Sequence, residues 1–223
     1  MIYIVAGMHR SGTSMLAGLL HQNGISMGTH FRQPLPENPK GFFEEEAFRR
    51  VNERVLRNSG YVVSEWSPSY RGVSITAEDS EQARSLVTRF DLLSDSWGWK
   101  DPRTCLTLTM WLNALVELDL IESTKIIVIR RNIWSVAQSL LNRRNVHSLN
   151  HGAKIWRMYN RHLHRSLLEC AVCPSVLEIR YERLIQRLDI DRLELFCDKC
   201  LDTSFIDSAL DHSGGEKVRW PLP

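Results

Sequence analysis

The sequence lacks a membrane span, a basic block and a cysteine framework, and each absence removes a class of function. No apolar run approaches the roughly 20 residues needed to cross a bilayer. The apolar stretch Ile2 to Ala6 runs into a Gly-containing turn rather than a cleavage site, so a cytoplasmic protein with no membrane partner is expected. The formal net charge is only +2 and the Arg residues are spread along the chain, which argues against a nucleic-acid footprint. Five Cys is an odd number and gives no secreted-type disulfide pattern. What remains is a chain of 223 residues, 43% hydrophobic and 24% charged, suited to one α/β domain spanning residues 1–223 and to small, anionic partners.

Strand and helix signals alternate. Ile2 to Ala6 reads as a buried strand, Gly7 to Ser11 as a tight loop, and Gly12 to Asn23 as a helix stopped by Gly24. Ile25 to Phe43 has three Pro, two Gly and no periodicity; an irregular loop of that length inside a domain is usually functional. Helices are expected over Glu45 to Asn58 and Glu78 to Leu93, the second opened by a Thr76/Asp79 capping pair. Ser96 to Lys100 reads as a strand, followed by a helix from Asp101-Pro102 through Leu118. The strand Lys125 to Arg130, helices Ile133 to Arg143 and Gly152 to Glu169, the strand Ser175 to Tyr181 and the helix Asp189 to Lys199 complete the chain. Such alternation predicts three layers, a mostly parallel central sheet with helices on both faces, and ligands bound at the carboxyl ends of the strands.

The segment Gly7-Met8-His9-Arg10-Ser11-Gly12-Thr13-Ser14 follows a strand and opens a helix, the context a phosphate-binding loop requires. Gly7 and Gly12 permit a backbone in which successive N–H groups face one anion, and the helix start adds further donors. Thr13 stands where a nucleoside triphosphatase has Lys, and the strand KIIVIR ends in Arg130 rather than in a metal-binding Asp. A phosphate-loop kinase of a small metabolite is therefore the weaker reading. Lys100 and Arg131 end two further strands, and a parallel sheet brings them, with Arg103, to the edge carrying the loop. Ser135 and Ser139 share one helix face beside them.

These segments, together with NPKGFFEE, WGWKDPRT, RRNIWSVAQS and Arg180-Tyr181-Glu182-Arg183-Leu184, resemble the sulfotransferases that use 3′-phosphoadenosine-5′-phosphosulfate (PAPS), most of all their bacterial members. The resemblance spans nearly the whole chain and implies the phosphate-loop-like sulfotransferase fold. It implies that Arg10, Ser11, Gly12, Thr13 and Ser14 hold the 5′-phosphosulfate, that Arg131 and Ser139 hold the 3′-phosphate, and that Tyr181 contacts the adenine. The product would be adenosine 3′,5′-bisphosphate, and the acceptor a hydroxyl of a small molecule or glycan. Arg10 replaces the Lys of many cytosolic members, as it does in protein-tyrosine sulfotransferases, and Arg183 replaces a common acid. For the C-terminal R-K-G element the tail offers only Lys217 and Arg219. A nucleotide-binding module without turnover is the reading from another class, which an intact Arg10 and Lys100 disfavour.

Sulfuryl transfer is an in-line displacement, so Arg10 and Lys100 are the expected catalytic cations; one well-aimed donor is worth roughly 3 kcal/mol. With the charge supplied by the protein, no metal is required. Glu44 is the favoured general base, with Glu45 and His9 as alternatives; equally, Glu44, Glu45 and Glu46 could simply form an acidic first helical turn. Two C-x-x-C pairs, Cys170/Cys173 and Cys197/Cys200, lie at one expected sheet edge and would suit a structural zinc if they met; otherwise they are small buried side chains. Trp156, Tyr159 and Leu163 have helical spacing and are read as core.

Overall fold

A computed structural model of the protein describes residues 1–31, 33–35 and 38–207; Lys217 and Arg219 lie outside them. The strands β1 (Ile2–Ala6), β2 (Trp97–Lys100), β3 (Thr124–Arg130) and β4 (Ser175–Arg180) form one parallel sheet in the order β2-β1-β3-β4. Ile4 pairs with Trp99 on one side and Ile126 on the other. The helices that connect and follow them are α1 (Thr13–Gln22), α2 (Glu46–Asn58), α3 (Ala77–Asp91), α4 (Thr104–Glu117), α5 (Ile133–Asn142), α6 (Leu149–Leu168), α7 (Tyr181–Ile185) and α8 (Ile190–Cys197).

Alternate residues of the buried strands serve opposite faces. Tyr3, Val5, Ile127 and Ile129 pack with α1, α7 and α8, while Ile2, Ile4, Ile126 and Val128 pack with α2 to α6. These are the three layers expected from the alternation, and they explain why β1 and β3 read as unbroken apolar runs. The edge strand β4 differs: Leu177 and Ile179 are buried, while Val176, Glu178 and Arg180 are exposed.

Local signals place most boundaries. Thr76 and Asp79 form a reciprocal capping box at α3, and Asn132 caps α5 by accepting the N–H groups of Trp134 and Ser135. At α4 the helix begins later than the Asp101-Pro102 pattern suggests. Asp101 accepts the Arg103 N–H at 3.0 Å and its carbonyl accepts the Thr104 N–H at 2.9 Å, so a tight turn precedes the first α-helical residue. Ser148 starts α6 three residues earlier than the apolar spacing did, and Tyr181 belongs to the turn of helix after β4 rather than to the strand.

The two cysteine pairs do not meet. Cys170 packs against the α2 to α6 side of the sheet and Cys197 is buried on the α1, α7 and α8 side, so the sheet separates them. Among the described residues no three His, Cys, Asp or Glu side chains are grouped to hold a metal ion. Sharing one end of a sheet was not sufficient, because an element also has a face. Tyr159 and Leu163 are core residues, with Trp156 packed against them, as their spacing indicates. Among the described residues no helix is long and apolar enough to cross a membrane.

Candidate active site

All four strands end at the same edge of the sheet, and the site is built there. After β1 the chain turns sharply: the Ser11 N–H donates to the Met8 carbonyl at 3.2 Å, and Arg10 (φ 69°) and Gly12 (φ 88°) are both left-handed. Glycine is required at position 12 twice over, since a Cβ would also stand 2.2 Å from Cδ2 of Tyr181. Tyr181 in turn carries the Arg131 guanidinium over its ring at 4.2 Å. Arg131 donates to the Arg10 carbonyl at 3.1 Å, and Nε of Arg10 donates to Oγ of Ser139 at 2.9 Å. One chain of contacts thus ties the loop after β1 to the ends of β3 and β4. The first turn of α1 carries no acidic residue, so the positive end of its dipole faces this loop without a counter-charge in that turn.

The end of β2 supplies the second half. Lys100, only 2% exposed, uses its three ammonium protons on Oε1 of Glu44 at 2.7 Å, Oγ of Ser14 at 3.1 Å and the Phe42 carbonyl at 3.1 Å. Arg103 approaches the other Glu44 oxygen at 3.6 Å and pairs with Asp101 at 2.8 Å and Glu53 at 3.0 Å. Burial disfavours the Asp101 charge, but Arg103 and a hydrogen bond from Asn52 outweigh it and hold the carboxyl below its ordinary range. The fully buried Asn52 also accepts from Thr107 and from the Trp111 indole. This network fixes the turn from β2 into α4, and with it Lys100. A buried polar cluster whose members satisfy one another holds its geometry tightly.

Two cavities open beside the loop and share Arg10, Thr13, Ser14 and Asn38. The first, about 120 Å³, is walled by Gly12, Arg131, Tyr181, Lys40 and Phe205. Lys40 closes it by donating to the Phe205 carbonyl at 2.9 Å and pairing with Asp207 at 3.5 Å. The second, about 440 Å³, is walled by Glu44, Lys100, Arg103, His9, Tyr61 and Trp66 among others. His9 packs edge-on against Trp66 and Tyr159. Burial, and after it the charge of Arg103, pushes the His9 pKa well below the usual histidine value, so the ring is neutral near pH 7. Its Nε2 is enclosed and has no hydrogen-bond partner.

Among the residues anticipated from sequence, Arg10, Gly12, Thr13, Ser14, Arg131 and Tyr181 line the first cavity. Ser11 is buried and lines neither cavity; Ser139 and Ser135 line neither, and among the described residues Ser139 is tied to the site by its bond from Arg10. The three consecutive acids divide their tasks. Glu44 faces the second cavity, Glu45 turns away to accept the N–H groups of Thr29 and His30 at 2.7 and 2.8 Å, and Glu46 pairs with Arg49 and Arg50 on the surface. The acidic-first-turn alternative therefore holds for Glu46 alone. Asn38 and Lys40 sit in the irregular loop that was expected to join a site, whereas Phe205, Tyr61 and Trp66 carried no sequence signal. Arg183, the departure from the common acid, bonds Asp189 at 3.0 Å and so shapes the turn between α7 and α8.

No family model and no curated protein matches the sequence. Solved structures do match in shape. A sulfotransferase domain from the curacin biosynthetic pathway superposes with a TM-score of 0.54 at 15% identity, over 92% of this chain and 76% of that one. A sulfotransferase domain from the Synechococcus PCC 7002 olefin synthase gives 0.52 at 17% identity, over 96% and 78%. At such identities the likeness is one of fold, and the α/β sheet-and-helix arrangement described above is the fold of those sulfotransferase domains.

Proposed function

We propose that this protein is a sulfotransferase that takes a sulfuryl group from PAPS and passes it to an acceptor hydroxyl. The observation that carries the reading is the pair of cavities meeting at Arg10, Thr13 and Ser14, with Arg131 and Tyr181 on one side and the Glu44–Lys100 pair on the other. The first side offers an anionic donor a loop of N–H groups and a stacked guanidinium, and the second offers an acceptor hydroxyl a carboxylate. Gly12 supports the reading in two ways: its left-handed backbone (φ 88°) lets successive N–H groups turn toward one anion, and its missing side chain leaves room for the Tyr181 ring.

Bound there, PAPS supplies an activated sulfuryl group, whose sulfur–oxygen bond to the bisphosphate breaks as the bond to the acceptor oxygen forms. The chain's own residues do the rest. The loop N–H groups, Thr13 and Ser14 orient the 5′ side, and Arg131, stacked on Tyr181, grips the 3′-phosphate. Arg10 and Lys100 stabilise the charge that grows on the departing oxygen, each worth roughly 3 kcal/mol if well aimed. Glu44 accepts the acceptor's proton. Since Lys100 already spends its three protons on protein oxygens, one of these contacts is exchanged as the charge develops.

The test is calorimetry with adenosine 3′,5′-bisphosphate in the presence of a chelator, followed by an acceptor screen with labelled PAPS. Binding is expected, and Arg131→Ala should weaken it at least about tenfold while scarcely changing the affinity of adenosine 5′-phosphosulfate, which has no 3′-phosphate. Equal losses for the two ligands contradict the assignment. Binding of ATP with Mg²⁺ but not of the bisphosphate would make the protein a phosphate-loop kinase instead.

A further inference from the structure

The two C-x-x-C pairs share a spacing but not a geometry. Cys197 is the last residue of α8 and packs into the core, 5% exposed, whereas Cys200 is exposed. Asp198 between them is left-handed (φ 52°), and among the described residues no hydrogen bond joins their thiols. Cys170 and Cys173 lie instead in the turn that joins α6 to β4. There each thiol folds back onto the backbone beside the other. The Cys170 thiol donates to the Val172 carbonyl at 2.8 Å, and the Cys173 thiol donates to the Leu167 carbonyl at 3.2 Å and to the Cys170 carbonyl at 3.5 Å. The two thiols also interact with one another. Pro174 disfavours helical backbone at Cys173 and so helps to hold the turn. Cys173 is exposed and Cys170 half-buried, so the pair can be reached from solvent.

We propose that Cys170 and Cys173 form a reversible disulfide, with a low-molecular-weight disulfide such as oxidised glutathione as the oxidant. The exposed Cys173 reacts first. Its thiolate attacks one glutathione sulfur, the glutathione S–S bond breaks, and one glutathione leaves as a thiolate. Burial holds the Cys170 thiol above the ordinary cysteine range, which suits the resolving role rather than the attacking one. Its thiolate then attacks the Cys173 sulfur, forms the Cys170–Cys173 bond and expels the second glutathione. The protein loses two electrons and two protons; oxidised glutathione takes up both and becomes two glutathione thiols. The turn lies where β4 begins, at the end of the parallel sheet opposite the cavities, so the disulfide joins α6 to β4 without touching the site. The modification is independent of the sulfotransferase reading.

Trypsin distinguishes the two pairs, because residues 166–180 form one peptide holding both Cys170 and Cys173, whereas Lys199 parts Cys197 from Cys200. The protein is equilibrated with mixtures of reduced and oxidised glutathione, quenched with acid, alkylated in denaturant, digested and weighed. The 166–180 peptide should lose two hydrogens and resist alkylation, and dithiothreitol should restore both thiols, while Cys197 and Cys200 are alkylated separately. Because the folded turn already brings the thiols together, the equilibrium constant for oxidising this pair should be about tenfold or more larger in the folded protein than in the urea-unfolded chain. By the same thermodynamic cycle, the oxidised protein should melt about 4 °C higher than the reduced one. Cys170→Ser should keep a single glutathione on Cys173, which isolates the first step. Equal constants in the folded and unfolded chains, oxidation that links Cys197 to Cys200 instead, or a Cys170→Ser protein that takes up no glutathione at Cys173 overturns the proposal.

Discussion

Replacing Glu44 by Gln separates chemistry from architecture more sharply than any other single change. Gln keeps the shape and an acceptor oxygen for the Lys100 ammonium, so what is removed is one negative charge 2.7 Å from a lysine that is 2% exposed. Arg103 retains Asp101 and Glu53, but Lys100 is left with neutral acceptors alone, the amide oxygen, the Ser14 hydroxyl and the Phe42 carbonyl. Breaking a buried pair from one side costs about 3–5 kcal/mol when nothing replaces it. Here the retained hydrogen bond and the adjoining cavity reduce that to about 2–3 kcal/mol. For a chain of this size the melting temperature should then fall by about 5–10 °C. Lys100→Met in the same background should recover part of the loss, with a coupling of about 2 kcal/mol across the double-mutant cycle. If Glu44 is also the general base, single-turnover transfer to the best acceptor of the screen falls by about 10²- to 10⁴-fold. Urea denaturation of the four proteins and rapid-quench kinetics supply both numbers. A Glu44→Gln enzyme as stable as the parent refutes the buried-pair argument. One that turns over within about threefold of the parent places the base elsewhere.

Gly12→Ala forces a side chain into left-handed backbone and into Tyr181. About 1–2 kcal/mol of stability should be lost to the first effect, whereas bisphosphate affinity, which depends on the Tyr181–Arg131 stack, should fall by tenfold or more. Similar fractional losses in a thermal melt and a titration would mean that Tyr181 does not serve the ligand. The His9 ring titrates lower in the folded chain than in the unfolded one. Below the unfolded value near 6.5 the unfolded chain therefore binds the extra proton, and His9 destabilises the fold as pH falls. His9→Phe keeps the contacts with Trp66 and Tyr159 and should flatten the loss of stability between about pH 7.5 and about pH 5. Parallel urea curves for parent and variant at both pH values would show that the ring does not contribute.

The sequence by itself determined the layers and the edge on which the site lies. Buried parallel strands must be apolar on both faces, so the runs Ile2 to Ala6 and Lys125 to Arg130 announce themselves, and their alternation with helices leaves few topologies. Once the strands are parallel, Arg10, Lys100 and Arg131 follow to one edge, because each stands where a strand ends. Capping chemistry at Thr76 and Asp79 was equally local and equally legible.

Tertiary structure decided everything that depends on which way a side chain turns or on which distant segment it meets. Nothing in the run Glu44-Glu45-Glu46 states that the first faces a lysine, the second a loop backbone and the third solvent; backbone torsion at Phe43 (φ 52°) and the packing of the loop at residues 28–30 impose that division. The contact that makes Gly12 obligatory comes from Tyr181, far along the chain. The cysteine pairs share one end of the sheet in sequence logic but lie on its opposite faces, a distinction no spacing rule encodes. Phe205, Tyr61 and Trp66 wall the two cavities from irregular segments whose position is set by long-range contacts rather than by any period. Periodicity reports which residues an element buries; only the assembled sheet and helices fix what each of them faces.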